Sequence, residues 1–322
     1  MSEVENMTIR FYGVRGSIPT PATENMRYGG NTSCVEVRHH DRLLILDAGS
    51  GIRVLGDELS QCARGNPIEA TLILSHSHWD HIQGLPFFAP GYSPNNRIAI
   101  FGECGRGEQL QRALEAQMGP AHFPVRLQQM RALQPVRELS REATKFGGLV
   151  VRTIRLNHPG GCTGFRIESA AGHIAYLPDH EPYRSNGGQG GRTAELAQSE
   201  LIEFVRGADL LVLDTQYTAE EYERRVGWGH GCLPDSVQLA IDAGVRRLIL
   251  FHHDPTHDDQ QLDHIVETAR AMAVGSSLIV EAASEKEVCS LMSSNVGIIP
   301  QIGWLPIQPV GRASVATSST VA

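Results

Sequence analysis

The stretch that decides the fold spans residues 72–81 and reads Leu-Ile-Leu-Ser-His-Ser-His-Trp-Asp-His. Its apolar start predicts a buried β-strand, which continues directly into His76 and His78. Because alternate residues of an extended segment point to the same side, these two imidazoles can converge on one ion. Asp80 and His81, one turn later, can then face a second ion. Four ligand-type side chains in six residues therefore predict a metal centre at a strand end rather than an ordinary polar loop.

Isolated histidines and aspartates follow other predicted strands in the same manner. They are His158 after residues 149–156, Asp179 after residues 173–177 and His252 after residues 247–251. Ligands at several strand ends, far apart in the sequence, describe one site at the edge of a sheet. Nitrogen and oxygen donors without thiolate favour zinc, with manganese and iron as alternatives. Two such ions about 3.5–4 Å apart would lower the pKa of a bridging water and polarise a substrate, which indicates a hydrolytic site.

Strand patterns alternate with amphipathic helical patterns along most of the chain. The remaining predicted strands are 9–13, 33–38, 43–47, 70–75, 97–101, 165–168, 210–214 and 277–281. Residues 33–38 with 43–47, and 165–168 with 173–177, follow one another as hairpins, which a pure βαβ series would lack. We therefore predict an α/β layered domain over residues 1–295. Residues 296–322 are nearly uncharged and rich in Pro, Ser, Thr, Ala and Val, which predicts a poorly packed tail.

Composition excludes several classes of protein. The chain has 322 residues, of which 41% are hydrophobic and 20% charged, so it is neither disordered nor collagen-like. It has no apolar run long enough for a membrane span and no signal-peptide pattern at its polar N-terminus, so we expect a cytoplasmic protein without a membrane partner. The net charge of -8 and the lack of a dense basic run argue against an extended nucleic-acid-binding surface. Six scattered cysteines without a CxxC pair indicate free thiols.

His-x-His-x-Asp-His at 76–81, together with the later His158, Asp179 and His252, closely resembles the metallo-β-lactamase superfamily. The resemblance extends from about residue 8 to residue 283 and implies an αββα sandwich with two metals at the edge between its sheets. The implied ligands are His76, His78 and His158 for one metal, Asp80, His81 and His252 for the other, and Asp179 as the bridge. A histidine at position 78, where flavo-diiron members have glutamate, favours zinc-type hydrolysis. An aspartate at position 179, where many antibiotic-destroying members have cysteine, argues against a β-lactamase.

Four further segments resemble the phosphodiesterase branch of this superfamily, which includes ribonuclease Z and cyclic nucleotide phosphodiesterases. They are residues 13–21, 28–34, 229–231 and 250–255. In ribonuclease Z a histidine placed like His230 helps to protonate the leaving oxygen, aided by an acidic residue of a His-Glu-Ala-Thr motif. Asp214 matches that acidic position, although Leu213 replaces the histidine of the motif. The resemblance thus implies catalytic roles for His230 and Asp214. Asp80 is expected to be catalytic as well, because it is the group best placed to orient the attacking hydroxide.

The leading hypothesis is a dinuclear metal phosphodiesterase that acts on a small phosphodiester such as a cyclic nucleotide. A metal-bridging hydroxide would attack, and His230 would assist the leaving group. The alternatives are a transfer-RNA 3′-processing endonuclease, an ester, thioester or lactone hydrolase, and a non-catalytic sensing module. The net acidic charge, and the lack of a long Gly-rich and basic arm, count against the endonuclease. Dimers are common in this branch, so by analogy a homodimer is one option.

Other residues have roles that the sequence leaves open. Asp47 either hydrogen-bonds a metal-binding histidine or caps the following helix. Trp79 is expected to pack beneath the metal loop. The walls of the substrate pocket are expected to come from residues 84–96, 119–130 and 183–195.

Overall fold

Two mixed β-sheets, stacked face to face, form the centre of the fold. The computed structural model describes residues 6–184, 189–285, 287–292 and 295–298. The strands are β1 (Asn6–Gly13), β2 (Cys34–His39), β3 (Arg42–Leu46), β4 (Glu69–Ile73), β5 (Arg97–Gly102), β6 (Arg137–Glu138), β7 (Thr144–Phe146), β8 (Leu149–Leu156), β9 (Cys162–Ser169), β10 (Gly172–Leu177), β11 (Leu210–Asp214), β12 (Arg247–Phe251), β13 (Ile279–Ala282), β14 (Val288–Met292) and β15 (Asn295–Ile298). The first sheet has the spatial order β15-β14-β1-β2-β3-β4-β5-β6, and the second has the order β13-β12-β11-β10-β9-β8-β7.

Helices cover the outer faces of both sheets. They are α1 (Gly51–Ala63), α2 (Trp79–Ile82), α3 (Gly107–Gln117), α4 (Gln189–Val205), α5 (Ala219–Tyr222), α6 (Leu233–Asp242) and α7 (Asp259–Met272). Apolar residues of α1 and α3 pack on the first sheet, and those of α4, α6 and α7 pack on the second. None of the helices in the described ranges combines the length and apolar character needed to cross a bilayer.

Alternation of side chains along the strands produces the layers. In β3, Leu44 and Leu46 face the second sheet, whereas Leu43 and Ile45 face the helices on the other side. In β12, residues 249 and 251 likewise lie between the sheets, while residues 248 and 250 pack under helices. Each sheet is therefore apolar on both faces, and the predicted αββα sandwich is confirmed.

Strand direction brings the predicted ligand positions to one edge. The predicted hairpins form, because β2 pairs antiparallel with β3, and β9 pairs antiparallel with β10. Strands β10, β11, β12 and β13 are mutually parallel, as are β3, β4 and β5. β8 runs in the same direction as β10, since both are antiparallel to β9. The C-terminal ends of these strands consequently meet where the two sheets adjoin.

The structure differs from the sequence prediction at the C-terminal end of the chain. β14, which was not predicted, pairs antiparallel with β1, and β15 pairs with β14. The sheet thus extends to Ile298. Residues 299–322 of the predicted tail lie outside the described residues.

Candidate metal centre

Side chains that follow four strands converge at this edge in two groups. His76 and His78 follow β4, His158 follows β8 and Asp179 follows β10, and one donor atom from each lies within 4.8 Å of the others. The second group, with the same spacing, contains Asp80 and His81 of α2 and His252 after β12. The structure therefore brings together all seven predicted ligand positions, and Asp179 also lies within the same spacing of His230 and His252.

Carbonyl oxygens orient two of the imidazoles. His158 Nδ1 lies 2.8 Å from the carbonyl oxygen of Gly229, and His252 Nδ1 lies 3.0 Å from Oε1 of Gln216. A carbonyl oxygen can only accept, so Nδ1 of each neutral ring donates and Nε2 keeps its lone pair. Nε2 of both rings is thus the nitrogen that a metal ion can bind.

Asp47 orients two more imidazoles from beneath the centre. Its Oδ2 accepts from His81 Nδ1 at 2.9 Å, from the Ser75 hydroxyl at 2.9 Å and from the Tyr176 hydroxyl at 2.8 Å. Because the Ser75 hydroxyl donates to Asp47, its oxygen accepts from Nδ1 of His76 at 3.0 Å. His76 and His81 therefore also present Nε2. Of the two roles considered for Asp47, the structure shows the hydrogen bond to a histidine of the centre.

Unpartnered lone pairs test whether the site fits metal ions. His76 Nε2 and Asp179 Oδ1 are buried and have no hydrogen-bond partner. His81 Nε2 lies 2.9 Å from Asp179 Oδ1, and His76 Nε2 lies 3.5 Å from Asp179 Oδ2. When each ring is neutral with its proton on Nδ1, as metal binding requires, its Nε2 lone pair faces the carboxylate, and a cation between them satisfies both. The two groups of donors therefore fit two divalent metal ions.

The charge state of the carboxylates suits the same role. Burial would raise the pKa of Asp179, but His252 and His81 hold it well below its usual range. Burial also opposes ionisation of Asp80, yet His81 and His252, when protonated in the metal-free protein, lower its pKa. Asp80 Oδ2 accepts in addition from the backbone N–H of Ser17 at 2.8 Å. Both carboxylates are consequently ionised at neutral pH.

His230 lies between the two groups of donors. Its ring stacks on His252 with 4.9 Å between centroids and meets His158 edge-on at 5.2 Å. Its Nδ1 lies 3.0 Å from Oδ2 of Asp214, which is fully buried at the end of β11. Asp214 also accepts from the backbone N–H of His180 at 3.1 Å. Because Nδ1 donates to this carboxylate, Nε2 is the ring nitrogen left for other contacts.

A cleft of about 200 Å³ adjoins His76 and His78. Its other lining residues include Glu103, Arg106, Gln109, Gly160 and Gly161. None of the residues that line this cleft lies in 84–96, 119–130 or 183–195, the segments expected to form the pocket walls. Within the last of these segments residues 189–195 belong to α4, and residues 185–188 are outside the described ranges.

Trp79 departs from its expected position. The sequence predicts that it packs beneath the metal loop, but its side chain is 70% exposed. Ile82 and Leu85, which follow in the chain, are instead buried against the first sheet. Trp228, one residue before Gly229, is also 61% exposed.

Three residues that orient the histidines were missed in the sequence. Ser75 stands inside the decisive stretch, and its position directly before His76 was a usable signal. Gln216, two residues after Asp214, also follows a strand end. Tyr176 lies among apolar residues of β10, and only its position opposite Asp47 reveals its role.

Comparison with known proteins identifies the family. A family model described as beta-lactamase superfamily domain matches residues 42–253. Ribonuclease Z of Thermoplasma acidophilum is 27% identical over 301 residues, which cover 82% of this chain and 91% of the relative. The structure of a diphosphatase from the PhnP family has a TM-score of 0.62 at 18% identity and covers 90% of this chain and 98% of its own. Yeast PDE1 has a TM-score of 0.62 at 16% identity and covers 89% of this chain and 99% of its own.

The matched segment contains the β9–β10 hairpin, the strand ends at the centre and all seven donor residues. Four of the eight described strands of the first sheet and six of the seven of the second lie within it, and the β-strands outside it extend the same two sheets. This chain therefore belongs to the β-lactamase superfamily and is a metal-dependent hydrolase with the metallo-β-lactamase fold.

Proposed function

We propose that this protein is a dinuclear phosphodiesterase that hydrolyses a small phosphodiester such as a cyclic nucleotide. One observation carries the proposal: the hydrogen bond from His230 Nδ1 to Asp214, which sets a donating imidazole beside two groups of metal-binding side chains. A phosphodiester needs its negative charge neutralised and its leaving alkoxide protonated. The two groups of donors and His230 supply these two requirements side by side.

Each group of donor residues would hold one metal ion. Two divalent ions, when bound, would neutralise the phosphodiester and activate water. His76, His78 and His158 would hold one ion, Asp80, His81 and His252 the other, and Asp179 both.

His230 then donates the proton on Nε2 to the leaving oxygen. Asp214 accepts from Nδ1 of the same ring, which fixes the orientation of the ring so that Nε2 is free to donate. Asp80 acts as an ionised carboxylate, held in position by the backbone N–H of Ser17, and can orient the attacking water.

Zinc is the metal that these donors favour. The two groups consist of imidazole and carboxylate, and no thiolate belongs to either group among the described residues. Cys162 is fully buried nearby, and burial raises its pKa well above the ordinary value, so it remains a neutral thiol.

The choice of a small substrate rests on charge and on space. The chain has a net charge of -8, which opposes attraction of a polyanion, and the cleft beside His76 and His78 holds about 200 Å³. A transfer-RNA 3′-processing endonuclease is the second candidate. It is favoured by the match to ribonuclease Z of Thermoplasma acidophilum over 82% of this chain.

The deciding experiment compares substrates on zinc-loaded protein of verified metal content. We expect turnover of bis(p-nitrophenyl) phosphate and of a 3′,5′-cyclic nucleotide, with loss of at least about a hundredfold in Asp80→Asn. Asp57→Asn is the matched control, because Asp57 is a half-buried residue of α1, away from the metal centre, that pairs with Arg53. Cleavage of precursor transfer RNA with no turnover of cyclic nucleotides would establish the second candidate instead. Turnover of neutral esters alone would refute both.

A further inference from the structure

We propose that Glu181 is a positioning residue of the catalytic centre, which holds the loop 225–230 so that His158 and His230 face the centre together. The inference rests on the proposed function in one respect, namely the role of His230 towards the leaving group. Its other part concerns the orientation of His158 and stands on the geometry alone.

The side chain of Glu181 collects donors from this loop. Its carboxylate is buried and accepts from the Tyr222 hydroxyl at 2.8 Å and from the backbone N–H groups of Gly227 at 2.6 Å and Gly229 at 2.9 Å. The contacts with Tyr222 and Gly227 use Oε1, and the contact with Gly229 uses Oε2. Hydrogen bonds to a buried carboxylate are among the stronger ones, so both ends of residues 227–229 are fixed.

Gly229 transmits this constraint to His158. Its N–H donates to Glu181, while its carbonyl oxygen accepts from His158 Nδ1 at 2.8 Å. Only glycine fits here, because φ is +90° and a Cβ atom would lie 2.5 Å from His158 Nδ1 and 2.2 Å from Pro159. A shift of the backbone at Gly229 would therefore move the carbonyl oxygen that accepts from His158 Nδ1. That hydrogen bond is what leaves Nε2 of His158 free for a metal ion.

The backbone of Glu181 also contacts Asn157, in the chain segment that carries His158. Its N–H donates to the carbonyl oxygen of Asn157 at 2.9 Å, and the Asn157 side-chain amide donates to the Glu181 carbonyl at 3.0 Å. Asn157 directly precedes His158, and His230 directly follows Gly229. Glu181 thus connects both chain segments that carry these two histidines, although it touches neither imidazole in the contacts of the described chain.

Glutamine at this position keeps the shape of the side chain but only one of its two acceptor oxygens. Both glutamate oxygens accept, so an amide nitrogen in place of either one would face an N–H or O–H donor. Glu181→Gln should therefore release the loop without opening a cavity. The matched control is Glu58→Gln, because Glu58 likewise accepts from a tyrosine hydroxyl, Tyr12 at 2.9 Å, in a part-buried site on α1.

The experiment uses full-length protein with three readouts. The first is hydrolysis of methyl p-nitrophenyl phosphate against methyl phenyl phosphate, whose leaving group is poorer. The second is zinc affinity from chelator competition. The third is the two-bond ¹H–¹⁵N NMR spectrum of the histidine rings in the metal-free protein, which reports the nitrogen that carries the proton.

We expect Glu181→Gln to lower the rate of hydrolysis of methyl phenyl phosphate about tenfold or more beyond its effect on methyl p-nitrophenyl phosphate. The variant should also bind zinc about 10–100-fold more weakly. The signal of His158 should change as well. Tyr222→Phe, which keeps the carboxylate, should show the same effects in smaller degree. Glu58→Gln should change unfolding stability alone.

The proposal is overturned if Glu181→Gln loses stability but keeps the parent leaving-group dependence, zinc affinity and His158 signal, since Glu181 would then be purely structural. If the parent hydrolyses neither ester, the proposed function fails. Zinc affinity and the imidazole spectra would still decide whether Glu181 orients His158.

Discussion

Acid should destabilise this fold through His253, a buried histidine with no carboxylate against its ring among the contacts of the described residues. Its side chain is 1% exposed, and Nε2 donates to the carbonyl oxygen of Ala283 at 3.0 Å. The neighbouring Arg15 is fully buried and donates to backbone carbonyl oxygens, those of Gly29, Asp254 and His257. Burial, together with the charge of Arg15, lowers the pKa of His253 to about 3.

Proton linkage gives the direction and the size of the change in the free energy of unfolding with pH. The ordinary pKa of the residue is 6.5, so the unfolded chain binds a proton below that pH, while the folded protein does not until about pH 3. Stability is therefore complete above about pH 6.5 and falls as the pH decreases towards 3. At pH 5 the interval below the unfolded pKa is about 1.5 units, which at about 1.4 kcal/mol per unit removes about 2 kcal/mol from the free energy of unfolding.

The test compares the parent with His253→Gln, whose amide nitrogen can still donate to Ala283 but does not titrate. Urea unfolding of zinc-saturated protein at pH 7.5 and pH 5 gives a free energy of unfolding for each. Both proteins contain the same other titrating groups, so the contributions of those groups largely cancel when the two changes in unfolding free energy are subtracted. We expect the variant to gain about 2 kcal/mol relative to the parent between the two values of pH. An equal loss of stability in both proteins would refute this account of His253.

Two further predictions concern the metal centre. Asp47→Asn replaces the acceptor shared by His81, Ser75 and Tyr176. Zinc affinity, measured by chelator competition, should therefore fall about 10–100-fold. An unchanged zinc affinity would contradict the orienting role of Asp47. Removal of metal should lower the melting temperature by several degrees or more, because the donors follow strands of both sheets and bind the ion only when folded. An unchanged calorimetric transition after verified demetallation would exclude that coupling.

Much of the fold was predictable from the sequence because each sheet is buried on both faces. Strands such as β11 and β12 are continuous apolar runs, and their predicted bounds are the observed ones. β14 escaped prediction because it is short and contains Cys289 and Ser290, so no pattern in the segment itself indicates a strand. It exists through its register with β1, where Ile9 pairs with Cys289. Such pairing between distant segments is a tertiary effect that local patterns do not contain.

The candidate donors were predictable for a different reason. Polar side chains that directly follow buried strands stand out against the apolar runs, and parallel strand ends meet at one edge. The groups that orient these donors carry no comparable signal. The acceptor for His158 is the backbone carbonyl of Gly229, which no residue type announces. In the sequence Glu181 is an ordinary charged residue of a loop. Its role becomes visible only in the structure, where three groups donate hydrogen bonds to its carboxylate.

The buried carboxylate of Asp47 makes the position of the donors depend on how the two sheets stack. Asp47 follows β3 of the first sheet, yet it accepts from Tyr176 of β10 in the second sheet as well as from His81. Tyr176 also packs on Phe251, the residue before His252. A change in sheet stacking would therefore move His81 and His252 relative to each other, although both belong to one group of donors. Loss of metal and loosening of the core between the sheets should for this reason occur as one cooperative event.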